Sequence, residues 1–222
     1  MPFNNRVEAG RQLAKALASY KTQKPVVLAL PRGGVPVAAE VAKALDAPLD
    51  LVLVRKIGVP YQPELAMGAV VDGSKPVVVR NEHIIELAGV SEADFNAIRD
   101  QELAEIERRR KLYVGDRPHP EIKDHTAIVV DDGIATGATT RAALRAIRTR
   151  EPRKLVLAVP VAPTQTLEEL KSEADTIVCL EDHEDFGAIG FFYYDFRQIS
   201  DAEVIDLLAQ AKATTPASMP GA

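Results

Sequence analysis

Short blocks of apolar and polar residues follow one another along the chain, and their spacing changes repeatedly between that of strands and that of helices. Apolar runs bounded by glycine, proline or charged residues indicate buried strands, whereas apolar residues three or four positions apart indicate amphipathic helices. The predicted strands are Val26–Leu30, Leu49–Val54, Met67–Val71, Val77–Arg80, Ala127–Val130, Leu155–Val161 and Ile177–Leu180. The predicted helices are Val7–Tyr20, Pro36–Leu45, Thr139–Arg150, Thr164–Glu173 and Asp201–Lys212. This alternation predicts an α/β protein whose mostly parallel sheet is covered by helices on both faces.

Two regions depart from the alternation. Residues from about 91 to 113 are heavily charged and predict an inserted long helix, which Ser91 and Asp94 begin as a capping box. The charged face of this helix either binds a partner or is solvated, with opposite charges paired one turn apart. The solvated face is favoured. Residues 181–200 are irregular and aromatic. Residues 213–222 have little to bury and are predicted to be disordered, so a single domain is expected over 1–212.

Composition and charge argue against several classes of protein. The chain has 222 residues, 46% of them hydrophobic, and a formal net charge of −5, which argues against a nucleic-acid surface as the main role. No apolar run approaches the length needed to span a membrane, and the N-terminal residues lack the apolar core of a signal peptide. A single cysteine excludes an internal disulfide framework. We therefore expect a cytoplasmic protein that binds neither nucleic acid nor membrane.

The strongest chemical signal follows the strand Ala127–Val130, in the segment Asp131–Thr139. Two adjacent carboxylates lead into a loop of small residues and threonines, and then into a helix. Such a loop and helix N-terminus form an anion site, because free backbone N–H groups and the positive end of the helix dipole point at one place. Carboxylates beside it suit a phosphorylated sugar with a diol. A Walker A loop needs lysine where Ala138 stands, and a plain turn with capping threonines is the simpler alternative.

This segment resembles the phosphoribosyl-pyrophosphate (PRPP) motif of type I phosphoribosyltransferases, in which hydrophobic residues, two acids and small residues lead to Thr-Gly-x-Thr. The stretch Leu30–Pro36 is similar to that of a bacterial branch known only as predicted phosphoribosyltransferases. The resemblance covers about residues 24–200 and implies the type I phosphoribosyltransferase fold, a twisted parallel sheet flanked by helices, with a small C-terminal hood mainly at 181–200. It implies transfer of ribose 5-phosphate from PRPP to a nitrogen acceptor such as a nucleobase, with release of pyrophosphate. A non-catalytic PRPP-binding regulatory protein is the alternative.

The resemblance also assigns roles within this segment. Asp131 and Asp132 are expected to hold the ribose hydroxyls and to stabilise positive charge that develops on the ring. The expected PRPP-binding residues of the loop are Gly133, Ala135, Thr136, Gly137, Ala138 and Thr139. Mg²⁺ is expected to bind mainly through PRPP, so no metal site is assigned to the protein. A homodimer is left open.

Two further loops carry cations. The loop after the first strand contains Arg32, Gly33 and Gly34; an arginine fork suits phosphate, and glycines let backbone amides approach an anion. The resemblance assigns these residues to pyrophosphate, often beside a non-proline cis peptide. It assigns Arg55 and Lys56 to catalysis at the leaving pyrophosphate, with residues 57–66 as a loop that closes over the site. A solvated pair of cations is the alternative.

The aromatic region 181–200 loosely resembles the hood of purine-salvage enzymes of this family. Phe186 is the candidate that stacks on the acceptor, and Gly187 is the candidate for backbone contact with it. Packing of the hood against the sheet is at least equally favoured. Ala135 stands where some purine enzymes carry an acid, so the sequence assigns no general base.

Overall fold

A parallel sheet forms the centre of the molecule in a computed structural model that describes residues 2–73 and 76–214. The strands, in chain order, are β1 (Pro25–Ala29), β2 (Leu49–Leu51), β3 (Val54–Val59), β4 (Gln62–Val71), β5 (Val77–Arg80), β6 (Thr126–Val130), β7 (Lys154–Pro163) and β8 (Thr176–His183). Five of them pair in parallel in the order β2-β1-β6-β7-β8, and the other three form an antiparallel sheet in the order β3-β4-β5.

Helices cover both faces of the parallel sheet. In chain order they are α1 (Arg6–Ala16), α2 (Gly34–Leu45), α3 (Glu82–Leu87), α4 (Glu92–Val114), α5 (Ala138–Arg148), α6 (Thr164–Leu170) and α7 (Asp201–Thr214), with short 3-10 helices at Ala18–Tyr20 and Ile189–Phe192. On β1, Val27 and Ala29 belong to the core formed with α1, α2 and α7, whereas Val26 and Leu28 belong to the core formed with α5 and α6. The predicted sheet with two covered faces is confirmed, and burial of both faces explains its continuous apolar runs.

The antiparallel sheet corrects one prediction. Residues 55–66, expected to be a loop, form most of a hairpin in which β3 pairs with β4. The first half of β4 is exposed and polar, so it lacks the apolar run by which buried strands are recognised. The strand predicted over Leu49–Val54 is likewise divided, since β2 ends at Leu51 and β3 begins at Val54. The turn predicted at residues 72–74 lies partly outside the described residues.

The inserted helix α4 begins as predicted. The Ser91 hydroxyl accepts a hydrogen bond from the Asp94 backbone N–H at 3.1 Å. Along the exposed side, Glu105 accepts hydrogen bonds from Arg108 and Arg109, which hold the pKa of its carboxyl down at about 2. These pairs within one helix support a solvated charged face.

The C-terminal part of the chain packs against the rest of the fold at two places. Helix α7 packs on α2 and continues to Thr214, and residues 215–222 of the tail predicted to be disordered lie outside the described residues. The hood contacts the N-terminus: Phe3 donates its backbone N–H to the Phe192 carbonyl at 2.8 Å and packs against Tyr193. Across residues 2–73 and 76–214, no helix combines the length and apolar character that a membrane crossing requires.

A buried ionic cluster connects the two sheets. Asp50 on β2 is fully buried and lies 3.1 Å from the Arg117 guanidinium and 2.8 Å from His119 Nδ1. Asp72, directly after β4, accepts a hydrogen bond from the Leu53 backbone N–H at 2.7 Å, while Arg110 of α4 lies 3.4 Å away. Burial raises the pKa of Asp72 from its usual 3.8 to about 6. The cluster therefore contains a carboxyl whose ionisation opposes folding at neutral pH.

This shift predicts that Asp72 makes stability fall as pH rises. Between the unfolded and folded pKa values the folded chain holds a proton that the unfolded chain has lost, so the free energy of unfolding decreases with pH in that window. From about pH 5 to about pH 8, we expect the wild type to lose roughly 1 kcal/mol relative to Asp72→Asn, since one pKa unit is worth about 1.4 kcal/mol. Urea unfolding of both proteins across this range measures the difference.

The matched control is Asp46→Asn, which changes an exposed aspartate at the end of α2. We expect it to follow the wild-type pH profile. Parallel profiles for the wild type and Asp72→Asn would contradict the assignment.

Candidate functional site

Two loops lie side by side at one edge of the parallel sheet. We call residues 31–34, after β1, the glycine loop and residues 131–139, after β6, the acidic loop. Strands β1 and β6 pair in parallel with Ala29 opposite Val130, and the Leu30 N–H donates to the Val130 carbonyl at 2.9 Å. A Cβ on Gly34 would lie 2.8 Å from that carbonyl oxygen, so a side chain at this position would force the loops apart.

Both loops lead into helices whose N-termini carry no side-chain cap. Helix α5 begins after Gly137, which has φ +72°, and helix α2 begins after Gly33. By contrast, Asn5 caps α1 and Ser91 caps α4 with side-chain oxygens. An uncapped helix N-terminus leaves backbone N–H groups for a ligand and favours an anion through the helix dipole. The N-terminus of α5 is therefore a candidate anion site. At α2 the Gly34 and Val35 N–H groups already donate to the Leu30 and Arg32 carbonyls at 3.1 and 3.2 Å, and Pro36 has no N–H.

The acidic loop is hydrogen-bonded to β7 and α6, and four of its predicted ligand-binding residues are exposed. The Ile134 N–H donates to the Val161 carbonyl of β7 at 3.0 Å, and the Thr166 hydroxyl donates to the Ala135 carbonyl at 2.9 Å. The predicted ligand-binding residues Ala135, Thr136, Ala138 and Thr139 are exposed. A Cβ on Gly133 would lie 2.6 Å from the Ile189 side chain, so the hood reaches this loop only because Gly133 has no side chain.

The two adjacent aspartates have different surroundings. Asp132 is buried, and its Oδ2 accepts a hydrogen bond from Arg6 Nε at 2.7 Å. Asp131 is half-buried, and its Oδ1 accepts a hydrogen bond from the Asp132 backbone N–H at 2.8 Å. Burial and the nearby negative charge of Asp132 raise the pKa of Asp131 well above its ordinary value. The carboxylate without a cation of its own is therefore Asp131.

The glycine loop contains the expected cis peptide, between Pro31 and Arg32. The Arg32 guanidinium is partly exposed and lies 3.5 Å from Asp201, which also accepts a 2.7 Å hydrogen bond from the Tyr113 hydroxyl. Burial and this hydrogen bond raise the pKa of Tyr113 to about 12. A Cβ on Gly33 would lie 2.0 Å from Asp132 Oδ2 and one on Gly34 would lie 3.1 Å from Asp131 Oδ1, so each glycine faces one of the two aspartates.

The predicted cations Arg55 and Lys56 have different partners. Both lie within β3 and not in a loop after a parallel strand. Arg55 pairs with Glu102 of α4 at 2.5 Å, whereas Lys56 is exposed and pairs with Glu64 at 3.0 Å. A cleft of about 490 Å³ between the antiparallel sheet and α5 is lined by Lys56 together with Thr136 and Thr139. The structure therefore brings Lys56 to the acidic loop and turns Arg55 towards α4.

The predicted acceptor residues lie in the hood. Phe186 is 9% exposed, and its ring stacks on Phe192 with 4.9 Å between the ring centroids. This packing favours the alternative of a structural role, and acceptor binding by Phe186 stays a prediction. The neighbouring Gly187 has φ +61° and is exposed, with the Phe191 ring against it. Phe191 itself is 75% exposed.

Sequence reasoning missed Arg6 and Tyr193. Arg6 reaches Asp132 from a position 126 residues away, and the Tyr193 hydroxyl donates to the Asp132 carbonyl at 2.6 Å. No local pattern marks either residue, because each contact exists only once the N-terminus and the hood meet. Within residues 2–73 and 76–214, no three His, Cys, Asp or Glu side chains lie close enough together to hold a metal ion.

Comparison with known proteins finds relatives that match most of this chain. A family model described as "Phosphoribosyl transferase domain" matches residues 4–197. The chain is 44% identical over 209 residues to the Mycobacterium tuberculosis H37Rv protein named "Putative phosphoribosyl transferase Rv0571c", covering 94% of this chain and 47% of that protein. The chain thus spans about half the length of the curated relatives it matches. The crystal structure of TT1426 from Thermus thermophilus has a TM-score of 0.82 at 40% identity, covering 95% of this chain and 99% of that one.

The family match includes Arg6, both loops and most of the hood. The predicted resemblance is confirmed, and so is the predicted fold, a parallel sheet flanked by helices with its connections meeting at one edge. The chain belongs to the phosphoribosyl transferase domain family.

Proposed function

We propose that this chain transfers ribose 5-phosphate from PRPP to a nitrogen acceptor, a nucleobase, and releases pyrophosphate. The observation that carries the proposal is the uncapped N-terminus of α5, which lies at the same sheet edge as Arg32 of the glycine loop and the half-buried Asp131. PRPP has matching chemistry, because a phosphate and a pyrophosphate flank its ribose hydroxyls.

The 5-phosphate belongs at the N-terminus of α5. The backbone of Gly133, Ala135, Gly137 and Ala138 and the hydroxyls of Thr136 and Thr139 would bind it, since they surround that terminus. The pyrophosphate belongs at the glycine loop, where Arg32 and the Gly33 amide would bind it. Gly34, whose own N–H donates to the Leu30 carbonyl at 3.1 Å, has no side chain to block its approach. Lys56 lines the cleft with Thr136 and Thr139, so it would face the 5-phosphate, whereas the pairing of Arg55 with Glu102 supports a structural role for Arg55.

Catalysis follows from the environment of Asp131. As the bond from C1 to pyrophosphate breaks and the acceptor nitrogen bonds to C1, positive charge develops on the ribose ring. A carboxylate held beside another negative charge and partly removed from water gains more from a nearby cation than a solvated carboxylate does. Asp131 would therefore stabilise the transition state more than the bound substrate.

Mg²⁺ would bind at this site mainly through PRPP. The described residues offer no cluster of three metal-ligating side chains, and Mg²⁺ commonly keeps waters and binds substrate phosphates. When bound, it would neutralise charge on the pyrophosphate. The acceptor would lie between the hood and the acidic loop, near Phe186 and Gly187, because Ile189 holds the hood against Gly133.

The first prediction is Mg²⁺-dependent binding of PRPP. At a free concentration 100 times its dissociation constant, PRPP should stabilise the fold by about 2.7 kcal/mol. Calorimetry and thermal unfolding with and without Mg²⁺ measure this. Absence of binding at millimolar PRPP and Mg²⁺ would contradict the proposed function. A screen of nucleobases and amines for pyrophosphate release then tests transfer, and binding without release for every acceptor would favour the regulatory alternative.

The second prediction concerns the shape of the acidic loop. Gly137→Ala should weaken PRPP binding about tenfold or more, because a side chain disfavours the left-handed backbone that aims these amides by roughly 1–2 kcal/mol. A Cβ there would also lie 2.9 Å from the Thr166 methyl group. Calorimetric titration with PRPP and Mg²⁺ measures the affinity.

The control is Gly89→Ala. Gly89 has φ +62°, and a Cβ there would meet nothing within 4 Å, so it carries the same backbone penalty away from the site. We expect wild-type PRPP affinity from it. Equal affinities for the two folded variants would exclude the acidic loop as the phosphate site.

A further inference from the structure

Arg6 is a buried cation that connects the N-terminus to the catalytic edge. It is 7% exposed and begins helix α1. Its Nε donates to Asp132 Oδ2 at 2.7 Å, and its Nη1 donates to the Arg197 carbonyl at 2.9 Å. The guanidinium also lies 3.9 Å from the centroid of the Phe196 ring. Arg6 therefore joins the acidic loop to the hood through contacts with both.

Asp132 is enclosed by these contacts. A Cβ on Gly33 would lie 2.0 Å from Asp132 Oδ2, so the carboxylate lies directly against the glycine loop. The Tyr193 hydroxyl donates to the Asp132 carbonyl at 2.6 Å from the hood side. The Asp132 N–H is used as well, because it donates to Asp131 Oδ1. Asp132 is thus held by its side chain, its carbonyl and its amide.

We propose that Arg6 is a positioning residue for the transfer reaction: it holds Asp132 beneath the glycine loop, so that Asp131 is the carboxylate that meets the ribose. This role rests on the proposed function. The two adjacent aspartates then have different roles: Asp132 fixes the glycine loop, and Asp131 contacts the substrate.

The consequence of losing Arg6 is electrostatic. The groups with charge or a titratable proton that face Asp132 are Asp131 on the same loop, Arg6 from α1 and the Tyr193 phenol from the hood. Without the guanidinium, two adjacent carboxylates remain with no cation among these groups. A buried carboxylate without a partner is costly, so Asp132 would turn towards solvent and move away from Gly33.

The experiment measures PRPP affinity in Mg²⁺ for Arg6→Met, Asp132→Asn, the double variant and Asp131→Asn. We expect Arg6→Met to weaken binding about tenfold or more in the wild-type background, the scale of one charge-assisted contact, and by less than about threefold in the Asp132→Asn background. Asp131→Asn should weaken binding more than Asp132→Asn does.

Two results would overturn the proposal: an Arg6→Met penalty that is equal in both backgrounds, or a larger effect of Asp132→Asn than of Asp131→Asn. Failure of wild-type binding would instead overturn the proposed function itself. Arg11→Met is the control for α1, since Arg11 is exposed and pairs with Glu40. If Arg6→Met does not fold, the double variant should fold, because it removes the unpaired buried charge at position 132. Arg6→Lys, which keeps a cation, should bind PRPP better than Arg6→Met. A double variant that also fails to fold would count against the proposal.

Discussion

Parallel pairing of β1 with β6 is the contact on which the site depends. It sets the carboxyl ends of the two strands beside each other, and each strand leads through a glycine into a helix. The backbones then approach so closely that a Cβ on Gly34 would overlap the Val130 carbonyl. Both helix N-termini therefore lie at the sheet edge that carries the Asp131–Asp132 pair. The proposed substrate has anionic groups, which a helix N-terminus favours.

The hood and the N-terminus hold this arrangement from the other side. Phe3 pairs with the backbone beside Tyr193, and this brings Arg6 over Phe196 and onto Asp132. A buried carboxylate without a partner is costly, so Arg6 and Asp132 each stabilise the burial of the other. The conformation of the acidic loop is therefore linked, through Arg6, to the first helix of the chain.

The antiparallel sheet supplies exposed charge next to the buried centre. The first half of β4 is exposed and polar, and Lys56 on β3 reaches the cleft beside the acidic loop. The ionic cluster of Asp50, Asp72 and Arg110 connects this sheet to β2 and α4. The raised pKa of Asp72 is a measure of what that connection costs at neutral pH.

The sequence alone determined the parallel sheet, because buried strands such as Ala127–Val130 must be apolar on both faces, and it determined the acidic loop, because its residues are contiguous. Local chemistry likewise predicted the capping box of α4 and the glycine loop. Only the tertiary structure decided the hairpin 54–71, whose exposed half has no apolar run, and the opposite directions of Arg55 and Lys56. It alone decided the difference between Asp131 and Asp132, which are alike in sequence. That difference comes from Arg6, 126 residues away, and a pairing across such a separation leaves no periodic or local signal for the sequence to display.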